Sequence, residues 1–149
     1  MFNQPQNVTV ELRSCDLLAE MLPNYQILTQ MYQDLTLETY EQILPEMISK
    51  SYRQVVAEID GKVVGLVAYW MLPRLWVGGT TLDLDNFVVD ENYRSDGVGK
   101  ILLDHLQYIA QTHGCKMIVL DAYTTNFKAI KFYVKHDFIQ KGYHLVREV

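Results

Sequence analysis

Lysine and arginine are scarce in this chain of 149 residues: thirteen, against eighteen Asp and Glu, for a net charge of −5. Proteins that hold nucleic acid by neutralising phosphates carry the opposite excess, so no nucleic-acid partner is expected. Cysteine is scarcer still. Cys15 and Cys115 are the only two, far apart and outside any CxxC spacing. That excludes a disulfide framework and points to a reduced, cytoplasmic compartment. The four histidines show no metal-ligand spacing, and no metal is expected. A long apolar run is missing too. The stretch 63–75 is broken by Gly65, Pro73 and Arg74, well short of the ~20 residues a membrane span needs. The first residues lack a basic segment followed by an apolar one, so no signal peptide and no membrane partner are expected. With four prolines and no low-complexity linker, the chain reads as one soluble domain over 1–149.

Residues 8–12 alternate as VTVEL and predict a strand. Asp16 is placed to cap a helix bearing Leu17, Leu18, Met21 and Leu22; Pro23 ends or restarts it, and Ile27, Leu28, Met31 and Tyr32 continue its face. Tyr40, Ile43, Leu44, Met47 and Ile48 mark a second amphipathic helix, with a kink expected at Pro45. Two β-branched runs flanking Asp60-Gly61 predict a hairpin, and TTLDLDNFVV after Gly78-Gly79 a third antiparallel strand. From Val98 the period becomes helical, with Ile101, Leu102, His105, Leu106 and Ile109 on one face and Gly114 as the stop. Residues 115–120 read as an interior strand covered on both faces, 127–135 as a short helix and 143–146 as a closing strand. The fold class is α/β, a mixed and mostly antiparallel sheet with one parallel crossover and about four flanking helices.

Chemistry concentrates in NFVVDENYRSDGVGK, residues 86–100, where a strand turns into a helix. Gly97 and Gly99 let backbone approach a ligand, and the unpaired N–H groups and dipole of the helix start suit a pyrophosphate. The spacing is neither a Walker loop nor a dinucleotide GxGxxG.

Arg94-x-x-Gly97-x-Gly99 resembles motif A of the GCN5-related N-acetyltransferase (GNAT) family. The resemblance extends to Asn126-x-x-Ala129-x-x-Phe132-Tyr133 downstream and to the DGKVVG hairpin upstream, and so covers about 54–138. It implies the acyl-CoA N-acyltransferase fold and transfer of an acetyl group from acetyl-CoA to a primary amine by direct attack in a ternary complex. Phe87, Val88 and Val89 would pair with the pantetheine arm like a strand. Ser95, Asp96, Gly97, Val98, Gly99 and Lys100 would cradle the pyrophosphate, with Arg94 bracing the turn or a phosphate. Asn126 would meet the pantetheine or the loop beside the thioester, and Tyr133 would protonate the departing thiolate. The resemblance also implies a possible homodimer. The chain reads Asp137-Phe138 where the family has Gly-Phe, which is expected to cost helix-end geometry.

For the general base, Asp83 and Asp85 stand on one face of a strand otherwise written in Leu and Val, a face they are expected to share with Phe87 beside the cofactor. Asp121, ending the next strand, matches a base position in some family members. Trp70 and Trp76 are candidate pocket walls. Lys128, Lys131 and Lys135 form a stripe that reads as a solvated face or a contact for the 3′-phosphate. Cys115 reads as a buried small hydrophobe and His105 as packing. Acidity favours a small cationic amine as acceptor, with a peptide N-terminus or lysine as the rival and a non-catalytic CoA-binding sensor as the alternative of another class.

Overall fold

Five strands form one sheet in the order β1-β2-β3-β4-β5 in the computed structural model, which describes residues 8–94 and 96–149. They are β1 (Glu11–Cys15), β2 (Arg53–Ile59), β3 (Lys62–Arg74), β4 (Gly79–Val89) and β5 (Met117–Leu120). β1 through β4 pair antiparallel. The β4–helix–β5 connection is the parallel crossover of a mixed sheet. The chain divides into two compact units, Met1–Val119 and Leu120–Val149.

In the first unit the helices are α1 (Leu18–Met21), α2 (Tyr25–Leu28), α3 (Leu37–Ser49) and α4 (Val98–Thr112). Pro23 sits in a 3-10 turn between α1 and α2, because it has no N–H with which to continue the helix. Asp16 does not cap α1. The N-cap is Leu17, and the Glu20 carboxylate reaches back to accept from the Asp16 and Leu17 amides at 2.8 and 3.0 Å. Thr36 caps α3 by accepting from the Thr39 amide at 3.1 Å, and α3 runs unbroken through Pro45.

One face of the sheet packs on α1–α3. Met21, Ile27, Leu28, Tyr40 and Leu44 meet Cys15, Tyr52, Val56, Leu66, Ala68 and Val88 in one buried cluster. Each fully buried aliphatic side chain there contributes roughly 1.5–3 kcal/mol. The other face takes α4: a Cβ added at Gly65 would lie 2.8 Å from Val98 Cγ1 and 2.9 Å from Leu102 Cδ1. The residues α4 buries are Val98, Leu102, Leu103, Leu106, Ile109 and Ala110. Ile101 instead faces out and His105 is half-buried against Tyr108, so the apolar face is rotated towards Leu103.

The expectations for two strands shift. The first strand lies at Glu11–Cys15 rather than 8–12, because pairing with β2, Glu11 opposite Glu58 through Cys15 opposite Gln54, sets its place. β5 is shorter than expected and only half covered, with Met117 exposed and Cys115 half-buried. It ends the sheet's strand order, so one long side faces no further strand among the described residues.

The second unit holds α5 (Phe127–Lys135) and a tail without helix or strand. The closing strand at 143–146 does not form: Tyr143, Leu145 and Val146 are exposed. Alternating apolar residues make a strand only where a neighbour takes up their backbone N–H and C=O groups.

Candidate active site

β4 carries the first half of the site, and its register decides which side chains meet. Asp83 opposes Trp70 and Leu84 opposes Tyr69, but the next pair is Asn86 with Ala68, so Asp85 is an extra residue, a β-bulge. The bulge reverses the alternation beyond it. Asp83, Asp85, Asn86 and Val88 lie on the side of Trp70 and the α1–α3 core, while Phe87, opposite Val67, turns to the α4 side. The expectation that both carboxylates share a face with Phe87 is therefore corrected.

The two carboxylates differ sharply. Asp83 is half-buried and engaged, accepting from Arg74 Nη2 at 2.5 Å and from the Thr81 hydroxyl. Asp85 is exposed and accepts from the Trp70 indole Nε1 at 2.8 Å. Trp70 in turn packs on Tyr52, with ring centroids 5.2 Å apart. Trp76 lies exposed at the tip of the β3–β4 hairpin beside exposed Leu75, so only Trp70 stands at the carboxylates.

Beyond β4 the chain makes a 3-10 turn, Glu91–Tyr93, and enters α4. Asp90 caps the turn by accepting from the Asn92 amide at 2.9 Å; with Gln30 also donating to it, its carboxyl is held below the usual range. Arg94 braces the same turn, its Nε donating to the Val89 carbonyl at 3.2 Å. Asp96 is exposed, its amide donating to the Tyr93 carbonyl at 3.2 Å. Ser95 lies outside the described residues.

Gly97 is the N-cap of α4 and has φ 77°, a left-handed conformation that favours glycine. Having no side chain, it offers no acceptor to the first-turn amides of Val98, Gly99 and Lys100. A Cβ built on Gly97 meets nothing within 4 Å. Val98 is fully buried and anchors the helix start, while Lys100 extends along α4 to pair with Asp104. β5 joins β4 where the Lys116 amide donates to the Thr80 carbonyl at 2.8 Å, and it is four residues long against eleven. The part of β4 holding Phe87, Val88 and Val89 therefore runs on past its end.

In the second unit, Asn126 is the N-cap of α5, its Oδ1 accepting from the Ala129 amide at 3.2 Å. Tyr133 is buried against Phe132 and Phe138, in edge-on contacts of 5.6 and 5.5 Å, and burial pushes its hydroxyl up to about 12. Asp137 takes φ 69° after the helix. Its amide donates to the Val134 carbonyl and that of Phe138 to Tyr133, so the helix end keeps the hydrogen bonds of a glycine-terminated one. The expected loss of helix-end geometry does not occur. Asp121 is exposed and pairs with His144 Nδ1 at 2.9 Å. Lys128, Lys131 and Lys135 are exposed along α5.

Sequence reasoning missed the chain of polar groups near Trp70 and Asp85, buried except at its exposed end, Tyr32. Tyr52 donates to Asn86 Oδ1 at 2.6 Å, and Asn86 Nδ2 donates to the Tyr32 hydroxyl at 2.9 Å. Gln54 Nε2 donates to the hydroxyls of Tyr40 and Tyr52, and its Oε1 accepts from Asn24. The available signal was Gln54 and Asn86 themselves, amides within runs of Val, Leu and Phe. Tyr32 also lines an open groove of about 530 Å³ with Met31, Gln33, Asp34 and Leu35. Among the described residues, no three His, Cys, Asp or Glu stand together to hold a metal ion. Among the same residues, no helix is long and apolar enough to cross a membrane.

The family model described as Acetyltransferase (GNAT) family matches residues 17–138. A spermine/spermidine N(1)-acetyltransferase of Bacillus subtilis (strain 168) is 32% identical over 101 residues, 61% of this chain and 62% of that protein. An N-alpha-acetyltransferase 60 of Danio rerio is 32% identical over 113 residues, 64% of this chain and 46% of that protein. The matches thus span less than two thirds of these relatives. The solved structure of an aminoglycoside N-acetyltransferase in complex with CoA superposes with a TM-score of 0.83 over 98% of both chains at 16% identity, a likeness of fold.

Proposed function

The chain belongs to the GNAT family of acetyltransferases, and from that premise we propose that it moves an acetyl group from acetyl-CoA to a primary amine by direct attack in a ternary complex. The observation that carries this is the β4–α4 junction: a left-handed, side-chain-free cap with open space beside it, in front of a fifteen-residue helix. Its first-turn amides and dipole suit a diphosphate, which fits the anionic end of acetyl-CoA. Val98, Gly99 and Lys100 would hold that group through their amides, Arg94 would keep the turn in shape, and Phe87–Val89 would offer backbone along the pantetheine. Acetyl-CoA supplies an activated thioester when bound.

Asp85 is the best-supported base. It is exposed and, among the described residues, held by one N–H donor, whereas Asp83 is engaged by Arg74 and Thr81, and Asp121 by His144. Tyr133 would serve as proton donor to the leaving thiolate; with its hydroxyl at about 12 it keeps its proton at any working pH. Tyr133→Phe should lower kcat by about 10²-fold and leave CoA binding intact.

For the acceptor we favour a small cationic amine of polyamine type. Residues 14–49 hold Asp16, Glu20, Asp34, Glu38, Glu41 and Glu46 with no Lys, Arg or His. The polyamine-acetylating relative from Bacillus subtilis points the same way. The test is thermal unfolding with acetyl-CoA and with CoA, followed by thiol release with spermidine or an N-terminal peptide as acceptor. A ligand at ~100 times its Kd adds about 2.7 kcal/mol, several degrees in Tm. A shift with spermidine turnover supports the proposal, and a shift with peptide turnover alone moves the acceptor to protein. A shift with no turnover of either leaves a CoA sensor, and no shift at millimolar acetyl-CoA rejects the function.

A further inference from the structure

Two consecutive side chains on a strand ordinarily point to opposite faces, yet Asp85 and Asn86 both lie on the α1–α3 side. Only the bulge allows this. In an unbulged ladder Asn86 would oppose Val67 and turn towards α4, away from Tyr52.

Asn86 is 7% exposed and held at both ends of its amide: Oδ1 accepts from Tyr52, and Nδ2 donates to Tyr32. The direction of each bond is set from the far end. Tyr40 donates to the Met21 carbonyl at 2.7 Å, so its oxygen accepts from Gln54 Nε2 at 3.0 Å. The same Nε2 donates to the Tyr52 oxygen at 3.3 Å, which leaves the Tyr52 proton for Asn86. Gln54 is fully buried and Tyr52 nearly so, and a buried polar group without its partner costs about 1–3 kcal/mol. The chain therefore locks the phase of β4 at the residue after Asp85.

We propose that Asn86 is a positioning residue for Asp85: with Tyr52 and Tyr32 it pins the β4 bulge, and the pinned bulge keeps the Asp85 carboxylate on the Trp70 indole N–H. This rests on the proposed acetyl transfer only for its catalytic consequence. If the chain is cut, the bulge can relax along β4, the carboxylate leaves the indole, and a misplacement of about 1 Å costs on the order of 10²-fold in rate.

The chain has two tryptophans, so the test reads two indole N–H signals by NMR, with Trp76→Phe assigning them. Tyr52→Phe removes one hydroxyl and keeps the ring that packs on Trp70; Asn86→Leu cuts both bonds. In each variant the Trp70 indole signal is expected to move upfield while that of exposed Trp76 stays in place. With an amine acceptor, kcat should fall about tenfold or more while KM for acetyl-CoA is unchanged. If Asn86→Leu does not fold, Tyr52→Phe decides alone. A lowered Tm with an unmoved Trp70 signal and wild-type kcat overturns the proposal, as does a moved signal with wild-type kcat. Should the wild-type protein acetylate no amine, the acetyltransferase function falls, and the indole signal by itself decides whether Asn86 positions Asp85.

Discussion

Asp137 does the work of a glycine. It holds a left-handed φ of 69° at the end of α5, and the amides of Asp137 and Phe138 close the helix onto Val134 and Tyr133. A side chain in that conformation costs about 1 kcal/mol, less for Asp than for most residues, and glycine is exempt. Asp137→Gly should therefore raise stability by up to about 1 kcal/mol in denaturant unfolding and leave the Tyr133–Phe138 contact in place. Asp90 allows a sharper test. Backbone and side-chain donors hold its carboxyl below the ordinary value, so its charge stabilises the fold above that value and the benefit is lost as pH falls through the lowered one. Asp90→Asn keeps an acceptor for the Asn92 amide and removes the charge. The Tm gap between wild type and variant should be open at pH 7 and close as pH falls below about 4. A gap independent of pH would mean the charge contributes nothing. The residue types at both positions could be read from the sequence, but their conformations and partners could not.

At the scale of elements, α4 comes close to the sheet because residue 65 has no side chain. The nearest atoms to a Cβ there belong to Val98 and Leu102, both fully buried and without room to yield. Gly65→Ala should cost about 1–3 kcal/mol, seen as a Tm several degrees lower. Because Val98 opens α4, the same change should also weaken acetyl-CoA binding. Elements written in local pattern were legible: the hairpin at Asp60-Gly61, α4 from Val98, and α5 over Phe127–Lys135 all stand where the periodicity puts them. Elements that need a distant partner were not. β1 begins at Glu11 because β2 is there to meet it, and residues 143–146 form no strand despite their alternation.

For the whole molecule, charge is distributed as unevenly as structure. Residues 14–49 carry six carboxylates and no cation, while the net charge of the chain is −5. Exposed charges of one sign attract a cationic acceptor in a way that salt screens over about 8–10 Å. KM for a polyamine should rise several-fold between low and high ionic strength with kcat unchanged, in initial rates at saturating acetyl-CoA; a flat response would separate acidity from acceptor choice. Sequence alone determined the family, the order of most elements, and the Arg94–Lys100 and Asn126–Tyr133 motifs, because each rests on neighbours within a turn or two of the chain. Tertiary structure alone decided that Asp85 is a bulge, that Phe87 faces α4, and that Arg74 and Thr81 engage Asp83 while Trp70 holds Asp85. It also decided that buried Tyr52 and Asn86 bond in a chain that ends on the exposed Tyr32 hydroxyl. These outcomes depend on pairing between residues up to fifty-four positions apart, whose free energy exists only once the strands and helices have met.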